Sequence, residues 1–421
     1  QNFGYAGIVF VVLLLLFIVF LIYMHNKKFA GVRVHLQGKS LAFAGVLFVA
    51  TSFYSVKVFP EIGILDCYDM AKFYFKNAKI FNENHDKNFA SLEVNPSNPS
   101  FSKPSTIIMI IGESVSPEYM SAYNKNTEVE STPWLRGMME SKEIRKVGHA
   151  YTSWNQTVPA LERALTEKNQ YNDKEFNDSN TIIDLAKKAG YKTYWFSAQG
   201  YISGADTPIT LVAQTADKKV WLCDKYFNTD KMVYDGDLLP LLDEVNPKEN
   251  NFIVFHVMGS HDDTINRYPP EKARFAKPGK FDTVANYFDS LAYIDDFMRD
   301  VYNYGRDKLN LQAMVYFSDH GGRPRERRSP DPKGFAVRRV PFVMWFSNEY
   351  KALYPETTKM LDVVETRYFT NDLTYETMAN ILQIKSNRVD ETCSVISPKY
   401  RFNRDNLTTN LGKKKISDDN E

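Results

Sequence analysis

The chain has 421 residues, and its 52 basic residues nearly balance its 51 acidic ones, which leaves a net charge of +1. A nucleic-acid-binding protein usually carries a clear basic excess, so this class of function is disfavoured. The length accommodates a membrane anchor and one large domain, and the 14% of aromatic residues is enough for a sizeable core.

The first 60 residues predict a membrane anchor. Residues 5–24 and 41–58 are apolar runs that are long enough to cross a bilayer as helices. The loop between them holds basic residues and no acidic ones, so the positive-inside rule places it in the cytoplasm and everything after about residue 60 outside it. Because the sequence begins with Gln1, we expect a natural N-terminal segment to precede it.

Residues 61–105 and 413–421 predict the segments that flank a catalytic domain. Leu65–Phe81 mixes aromatic residues with lysines, which is typical of a helix on the membrane surface or of a buried packing helix. Asn82–Ser105 is rich in Asn, Ser and Pro and predicts a linker. The charged tail from residue 413 to residue 421 predicts disorder.

Residues 106–412 predict an α/β domain. Helical patterns, such as those over Asn180–Ala189 and Thr283–Tyr304, alternate with short runs typical of buried strands. These runs are Ile107–Ile111, Thr193–Phe196, Phe252–Phe255, Met314–Phe317 and Pro341–Phe346. The alternation predicts an α/β sandwich with a mostly parallel sheet, whose ligands gather beyond the carboxyl ends of the strands.

Acidic and imidazole side chains follow these strands at that edge. Glu113 comes after the first strand, Asp319 and His320 come after the fourth, and the third carries His256 and leads to His261. A Glu, an Asp and a His on neighbouring strand ends can share a cation. Mixed oxygen and nitrogen ligands suit zinc, and manganese less well.

A candidate nucleophile lies between the first two strands. Thr157 follows Asn155 and Gln156 and precedes a helical pattern. A Thr in this position either caps the helix, or binds the metal through Oγ and attacks phosphorus. The three cysteines, Cys67, Cys223 and Cys393, form no CxxC pair, which excludes a zinc ribbon and leaves any disulfide pairing open.

Together these motifs resemble the phosphoethanolamine transferases of the alkaline phosphatase superfamily, inner-membrane enzymes that modify lipid A, lipooligosaccharide or periplasmic glucans. The resemblance covers the chain after the second apolar run. It rests on Ile110–Ser114, Thr157–Pro159, Gly259–His261 and Ser318–Gly321, with Gly200–Asp217, Asn286–Leu291 and Asp295 closest to the branch that modifies sugars and glucans. It implies an alkaline-phosphatase-like α/β/α sandwich, preceded by transmembrane helices of which the two predicted here are the last of five.

The resemblance also implies a mechanism in the periplasm. Thr157 would take phosphoethanolamine from phosphatidylethanolamine and pass it to a lipopolysaccharide, lipooligosaccharide or periplasmic glucan acceptor. One tightly bound Zn²⁺ would be held by Glu113, Thr157, Asp319 and His320. The residues implied in substrate binding are His261, His256, Asn155 and Lys333.

The sequence departs from the family pattern at two places. His320 is the last histidine, whereas the family usually has another in the following segment, and we expect Lys333 to take its place. Asp262 and Asp263 follow His261 where the family more often has Gly-Pro. The arginine-rich segment 323–339 is either a phosphate-binding loop or a solvated one.

Three alternative functions remain open. A phosphoglycerol transferase or a phosphodiesterase of the same superfamily would use similar residues. A membrane-anchored scaffold without catalysis would fit the missing histidine. A sulfatase activity is disfavoured, because Thr157-Val158-Pro159-Ala160-Leu161 lacks the Cys-x-Pro-x-Arg pattern that it would need.

Overall fold

The structure is a computed structural model that describes residues 63–95, 101–201, 207–223, 232–277, 282–325 and 334–420. The chain divides into two compact units, residues 1–77 and 78–421. Within the described ranges, no helix has both the length and the apolar character needed to cross a membrane. The two predicted spans, residues 5–24 and 41–58, lie outside these ranges, and so does Lys333.

A seven-stranded sheet forms the centre of the larger unit. The strands are β1 (Thr106–Gly112), β2 (Ile144–Lys146), β3 (Lys192–Gly200), β4 (Lys218–Cys223), β5 (Asn251–His256), β6 (Leu311–Ser318) and β7 (Phe342–Phe346). Their order in the sheet is β2-β7-β6-β1-β5-β3-β4, with β7 antiparallel to both neighbours and the other adjacent pairs parallel. The predicted mostly parallel sheet is therefore confirmed.

Helices cover both faces of this sheet. Alternate residues of each buried strand point to opposite faces, and they pack into two separate apolar cores. The helices are α1 (Gly63–Ala90), α2 (Pro133–Glu140), α3 (Thr157–Ala164), α4 (Ile182–Lys188), α5 (Thr207–Gln214), α6 (Thr283–Lys308), α7 (Asn348–Leu353), α8 (Pro355–Met360) and α9 (Thr374–Ile381). Residues of α3, α4, α5 and α9 belong to one core, and residues of α2 and α6 to the other.

Short strand pairs complete the fold. Val94–Asn95 pairs with Lys385–Ser386, His149–Tyr151 with Tyr368–Thr370, and Thr408–Thr409 with Lys414–Lys415. Cys223 and Cys393 are free thiols, so no disulfide joins these two residues.

Helix α1 continues into the segment predicted as a linker, so that prediction is wrong for residues 82–90. The cause is an aromatic stripe at helical spacing. Phe81 stacks on Phe176 with 5.3 Å between ring centroids, and His85 Nε2 lies 2.8 Å from the Asp184 carboxylate. These contacts hold residues 78–90 against the α/β domain, and Phe81 is buried.

Residues 413–420 pack on the domain, so the predicted disorder of the tail from residue 413 is wrong for these residues. Ile416 is fully buried, and the Asp419 carboxylate forms an ion pair with Arg339 and accepts a hydrogen bond from Tyr151 Oη at 2.9 Å. The charge of Asp419 is thus neutralised inside the protein, whereas Lys413, Lys415 and Asp418 stay exposed. The domain therefore extends beyond the predicted boundary at residue 412.

Candidate active site

The carboxyl ends of β1 and β6 bring two carboxylates together. The strands are parallel neighbours, and Gly112 of β1 pairs with Ser318 of β6. The next residues are Glu113 and Asp319, and the ladder continues with a bond of 3.1 Å from the Asp319 amide to the Gly112 carbonyl. The expected meeting of these strand ends is therefore found in the structure.

Glu113, Asp319 and His320 form one buried cluster. Their side chains are between 0% and 3% exposed, and one candidate ligand atom from each lies within 4.8 Å of the others. His320 Nε2 is 3.5 Å from Glu113 Oε1 and 3.3 Å from Asp319 Oδ2. The other ring nitrogen, Nδ1, lies 3.0 Å from the Gly321 carbonyl oxygen, which fixes the orientation of the ring.

Thr157 is the first residue of α3, and its hydroxyl faces the cluster. Thr157 Oγ1 donates a hydrogen bond of 2.9 Å to Glu113 Oε2. The N-cap position belongs to Gln156, whose side chain makes no capping hydrogen bond. The interpretation of Thr157 as a helix cap is therefore wrong, and its hydroxyl is placed beside the carboxylates.

The two carboxylates interact strongly. Burial raises the pKa of Asp319 well above its ordinary value, and the negative charge of Glu113 raises it further. Burial acts in the same direction on Glu113, but His320, His261 and hydrogen bonds outweigh it and lower the pKa of Glu113 to about 2. Without a cation, the pair favours one ionised and one protonated carboxylate.

These residues fit a divalent cation. Asp319 Oδ2 is buried yet accepts no hydrogen bond from the described residues, which is costly for a carboxylate oxygen unless a cation contacts it. Two carboxylates, one imidazole nitrogen and one hydroxyl form a mixed oxygen and nitrogen set that suits zinc. A cation would also allow both carboxylates to ionise.

Of the remaining predicted residues, the structure describes His261, His256 and Asn155. His261 is near enough to lower the pKa of Glu113. His256 ends β5, is buried and packs edge-on against Trp195 with 5.7 Å between centroids, beside a cavity that Gln199 and Trp221 also line. Asn155, two residues before Thr157, is buried.

The sulfatase family profile matches residues 105–380, which is more than half of the chain and contains all of this cluster. The chain belongs to the sulfatase family. This is an enzyme family, and the name does not imply sulfate-ester hydrolysis, for which this chain lacks the Cys-x-Pro-x-Arg pattern.

Relatives within this family carry a narrower name. The phosphoethanolamine transferase EptC of Escherichia coli K12 is 24% identical over 343 residues, covering 77% of this chain and 58% of its own length. The chain thus spans little more than half of that relative.

Solved structures show the same fold. The C-terminal periplasmic domain of E. coli EptC, determined as a zinc complex, superposes with a TM-score of 0.67 at 23% identity, over 78% of this chain and 96% of that one. Lipooligosaccharide phosphoethanolamine transferase A of Neisseria meningitidis, an integral membrane protein, gives 0.61 at 17% identity, over 86% and 74%. At these identities the likeness establishes the alkaline-phosphatase-like fold alone.

Three residues to which the sequence analysis assigned no role bind the backbone around this cluster. Tyr287 of α6 donates through Oη to the Ser114 carbonyl at 2.8 Å and accepts from the Ser116 amide at 2.9 Å. The Asp235 carboxylate accepts from the backbone amides of residues 258 and 259 at 2.7 and 3.0 Å. Asn371 Nδ2 donates to the Asp319 carbonyl at 2.8 Å.

Two acidic residues that resemble the sugar- and glucan-modifying branch, Asp289 and Asp295, accept hydrogen bonds from backbone amides. Asp289 accepts backbone bonds from residues 274, 275 and 276 at 2.6 to 2.9 Å. Asp295 accepts the amides of Trp134 and Leu135 at the start of α2 at 2.8 and 3.0 Å. Both carboxylates therefore hold backbone segments in place.

Gly259 allows the loop after β5 to approach the cluster. Its φ of +50° lies in the left-handed region, and a Cβ there would stand 2.8 Å from the Glu113 carbonyl oxygen and 2.9 Å from the Glu113 amide nitrogen. The next residue, Ser260, donates its amide to the same carbonyl at 2.9 Å. The loop that carries His261 is therefore packed directly on the backbone of Glu113.

We expect Gly259→Ala to displace Glu113 and to destabilise the protein more than Gly190→Ala does. Gly190 also has a left-handed φ, of +91°, but a Cβ there meets nothing within 4 Å. The control should therefore cost only about 1–2 kcal/mol of backbone strain. Urea denaturation of both variants provides the measurement. Equal losses of unfolding free energy would show that the contact with Glu113 is unimportant.

Proposed function

We propose that this chain transfers phosphoethanolamine from phosphatidylethanolamine to a glycan or glycolipid of the bacterial cell envelope. The observation that carries the proposal is the Thr157 hydroxyl, held 2.9 Å from a carboxylate of the buried Glu113, Asp319 and His320 cluster. The name of the E. coli relative points to the same transferred group. The acceptor would be a lipopolysaccharide, a lipooligosaccharide or a periplasmic glucan.

Glu113, Thr157, Asp319 and His320 would hold one divalent cation, for which Zn²⁺ suits the ligands better than Mn²⁺. When bound, it supplies positive charge that favours the alkoxide form of Thr157 and offsets charge on the phosphate. Two observations support this cation site. Asp319 Oδ2 is buried and accepts no hydrogen bond from the described residues, and the two buried carboxylates lie close together.

The transfer would proceed in two displacements. Thr157 Oγ forms a bond to phosphorus, the ester bond to diacylglycerol breaks, and diacylglycerol leaves as an alcohol with the Thr157 proton. A hydroxyl of the acceptor then attacks the phospho-threonine, and Thr157 regains a proton from it. Glu113, which accepts the hydrogen bond of the Thr157 hydroxyl, orients Oγ for the first step, before Oγ is esterified. The amides at the start of α3, which the Gln156 side chain does not cap, favour negative charge nearby.

His261, His256 and Asn155 are proposed substrate contacts, and Lys333 a fixed positive charge in place of the histidine that the family usually has. A lysine ammonium must lose a proton before it can bind a metal, so we expect one metal per chain rather than two. Lys333→Ala should weaken transfer markedly. A rate within about twofold of wild type, which is under 1 kcal/mol of barrier, would contradict this role.

Thr157→Ala should reduce the release of diacylglycerol from labelled phosphatidylethanolamine by orders of magnitude, because the covalent nucleophile is lost. Thr157→Ser, which keeps a hydroxyl, is the matched control and should retain measurable activity. Residual activity of Thr157→Ala above about a tenth of wild type would contradict the assignment. Parallel reactions with phosphatidylglycerol and with a simple phosphodiester would reveal the two alternative superfamily activities.

Metal analysis of the purified protein should find about one zinc per chain. Asp319→Ala combined with His320→Ala removes two of the four proposed ligands and should abolish retention. The same measurement on Asp289→Ala, whose carboxylate accepts the backbone amides of residues 274–276 and is not a proposed ligand, provides the control. Zinc retained by the double variant would disprove the proposed ligand set.

We further propose that the catalytic domain lies in the periplasm, anchored in the inner membrane by residues 5–24 and 41–58. The basic loop between these runs, with Lys27, Lys28, Arg33 and Lys39, motivates this orientation. A reporter that is active only in the periplasm should therefore be active when fused after Ser105. Activity of a cytoplasm-specific reporter at the same position would overturn the orientation.

A further inference from the structure

The last part of the chain forms a hairpin that touches the nucleophile segment. Residues 407–420, here the C-terminal hairpin, contain the strand pair Thr408–Thr409 and Lys414–Lys415. Its tip turns through Asn410, Leu411 and Gly412, which all have left-handed φ values between 52° and 85°. The hairpin lies beyond residue 380, where the match to the sulfatase family ends.

The hairpin helps to fix the backbone at Thr152 and Ser153, five and four residues before the nucleophile. Thr409 Oγ1 donates to the Thr152 carbonyl at 2.7 Å, and the Leu411 amide donates to the Ser153 carbonyl at 3.1 Å. The two amides of this dipeptide are bonded from the other side, Thr152 to the Arg338 carbonyl at 2.7 Å and Ser153 to Asn371 Oδ1 at 2.9 Å. All four backbone polar groups are therefore held by other segments.

This dipeptide is also joined to the cation-site residues. Thr152 Oγ1 lies 2.5 Å from the Asp319 carbonyl oxygen and 2.6 Å from the Trp154 carbonyl oxygen. The hydroxyl therefore connects the backbone of Asp319 to the segment that leads into Thr157. A shift of Thr152 would change the position of the nucleophile relative to Asp319.

The hairpin is itself firmly attached to the domain. Arg338 is buried and donates from Nε and Nη2 to Asn410 Oδ1 at 3.1 and 3.0 Å, and Arg339 pairs with Asp419. These two arginines lie in the segment for which the sequence predicted phosphate binding or solvation. Both are instead committed to holding the hairpin against the nucleophile segment.

We propose that the C-terminal hairpin is a positioning element of the active site, and that the Thr409 hydroxyl sets the place of Thr157 relative to Asp319 through Thr152. The inference rests on the proposed function, because it assigns Thr157 as the nucleophile. Small displacements of a reacting group slow a displacement reaction more than they weaken substrate binding. Thr409 therefore acts on the turnover number and not on substrate affinity.

The test compares Thr409→Val with Thr193→Val in the full-length chain. Both threonines are fully buried and donate one side-chain bond, but Thr193 donates to Asp217 at 2.9 Å, near the amino end of β3 and away from the site. We expect kcat for diacylglycerol release to fall about tenfold or more in Thr409→Val, with KM within about twofold. Thr409→Ser should restore kcat, and Thr193→Val should leave it unchanged.

A second measurement does not depend on activity. Hydrogen exchange of the amides in residues 150–160 should be faster in Thr409→Val than in wild type, and unchanged in Thr193→Val. Unchanged exchange in Thr409→Val, or a kcat within about twofold of Thr193→Val, would overturn the proposal. If wild type releases no diacylglycerol while exchange responds as expected, the proposed transfer fails and the positioning by the hairpin stands.

Discussion

The site depends on the burial of two carboxylates side by side. Glu113 and Asp319 lie at the ends of adjacent strands, and taking each charge out of water costs several kcal/mol unless it is compensated. The surrounding chain provides part of the compensation. The amides of Ser114 and His320 donate to Asp319 Oδ1 at 2.9 and 2.7 Å, and Ser114 Oγ donates to Glu113 Oε1 at 2.5 Å. The left-handed φ of 59° at Ser114 is the strain that this arrangement requires.

Helix α6 packs in the core and forms hydrogen bonds with the loops around the site. It is the longest helix of the larger unit, and its buried side contacts three separate segments around the site. Tyr287 bonds the turn after β1, Ser290 Oγ donates to Ser260 Oγ at 2.8 Å, and Asp289 holds the segment 274–276. Loops placed by one helix keep their mutual positions, which a preorganised site needs.

The sequence predicted the parts of this protein that follow from local patterns. Continuous apolar runs identified five of the seven strands of the main sheet, and the parallel arrangement then placed Glu113, Asp319 and His320 at one edge. The two strands that were missed, β2 and β4, are short or contain lysines and so lack a continuous apolar run. The role of Tyr287 was not predictable, because its partners Ser114 and Ser116 lie more than 170 positions away and accept and donate through the backbone. A hydrogen bond to the backbone of a distant segment does not depend on which side chain that segment carries there, so a sequence motif does not reveal it.

Two errors have a common physical origin. Residues 82–90 were predicted as part of a linker, and residues 413–421 as a disordered tail, because the composition of both segments is polar and charged. In the structure His85 lies 2.8 Å from Asp184, and Asp419 pairs with Arg339, so distant partners order both segments. The missed signals were the spacing of Phe81, His85 and Phe89 and the apolar Ile416 within the tail.

The pairing of Gly112 with Ser318 also sets what evolution can change in this domain. Glu113 and Asp319 are separated by about two hundred positions in sequence, yet their spacing in the site is fixed by a ladder of hydrogen bonds between two strands. Insertions between the strands can lengthen the loops without moving either carboxylate, whereas a slip of one residue within a strand would turn its side chains to the opposite face. The loops between the strands can therefore change in length and sequence while the two carboxylates keep their relative position, provided that the strand register does not change.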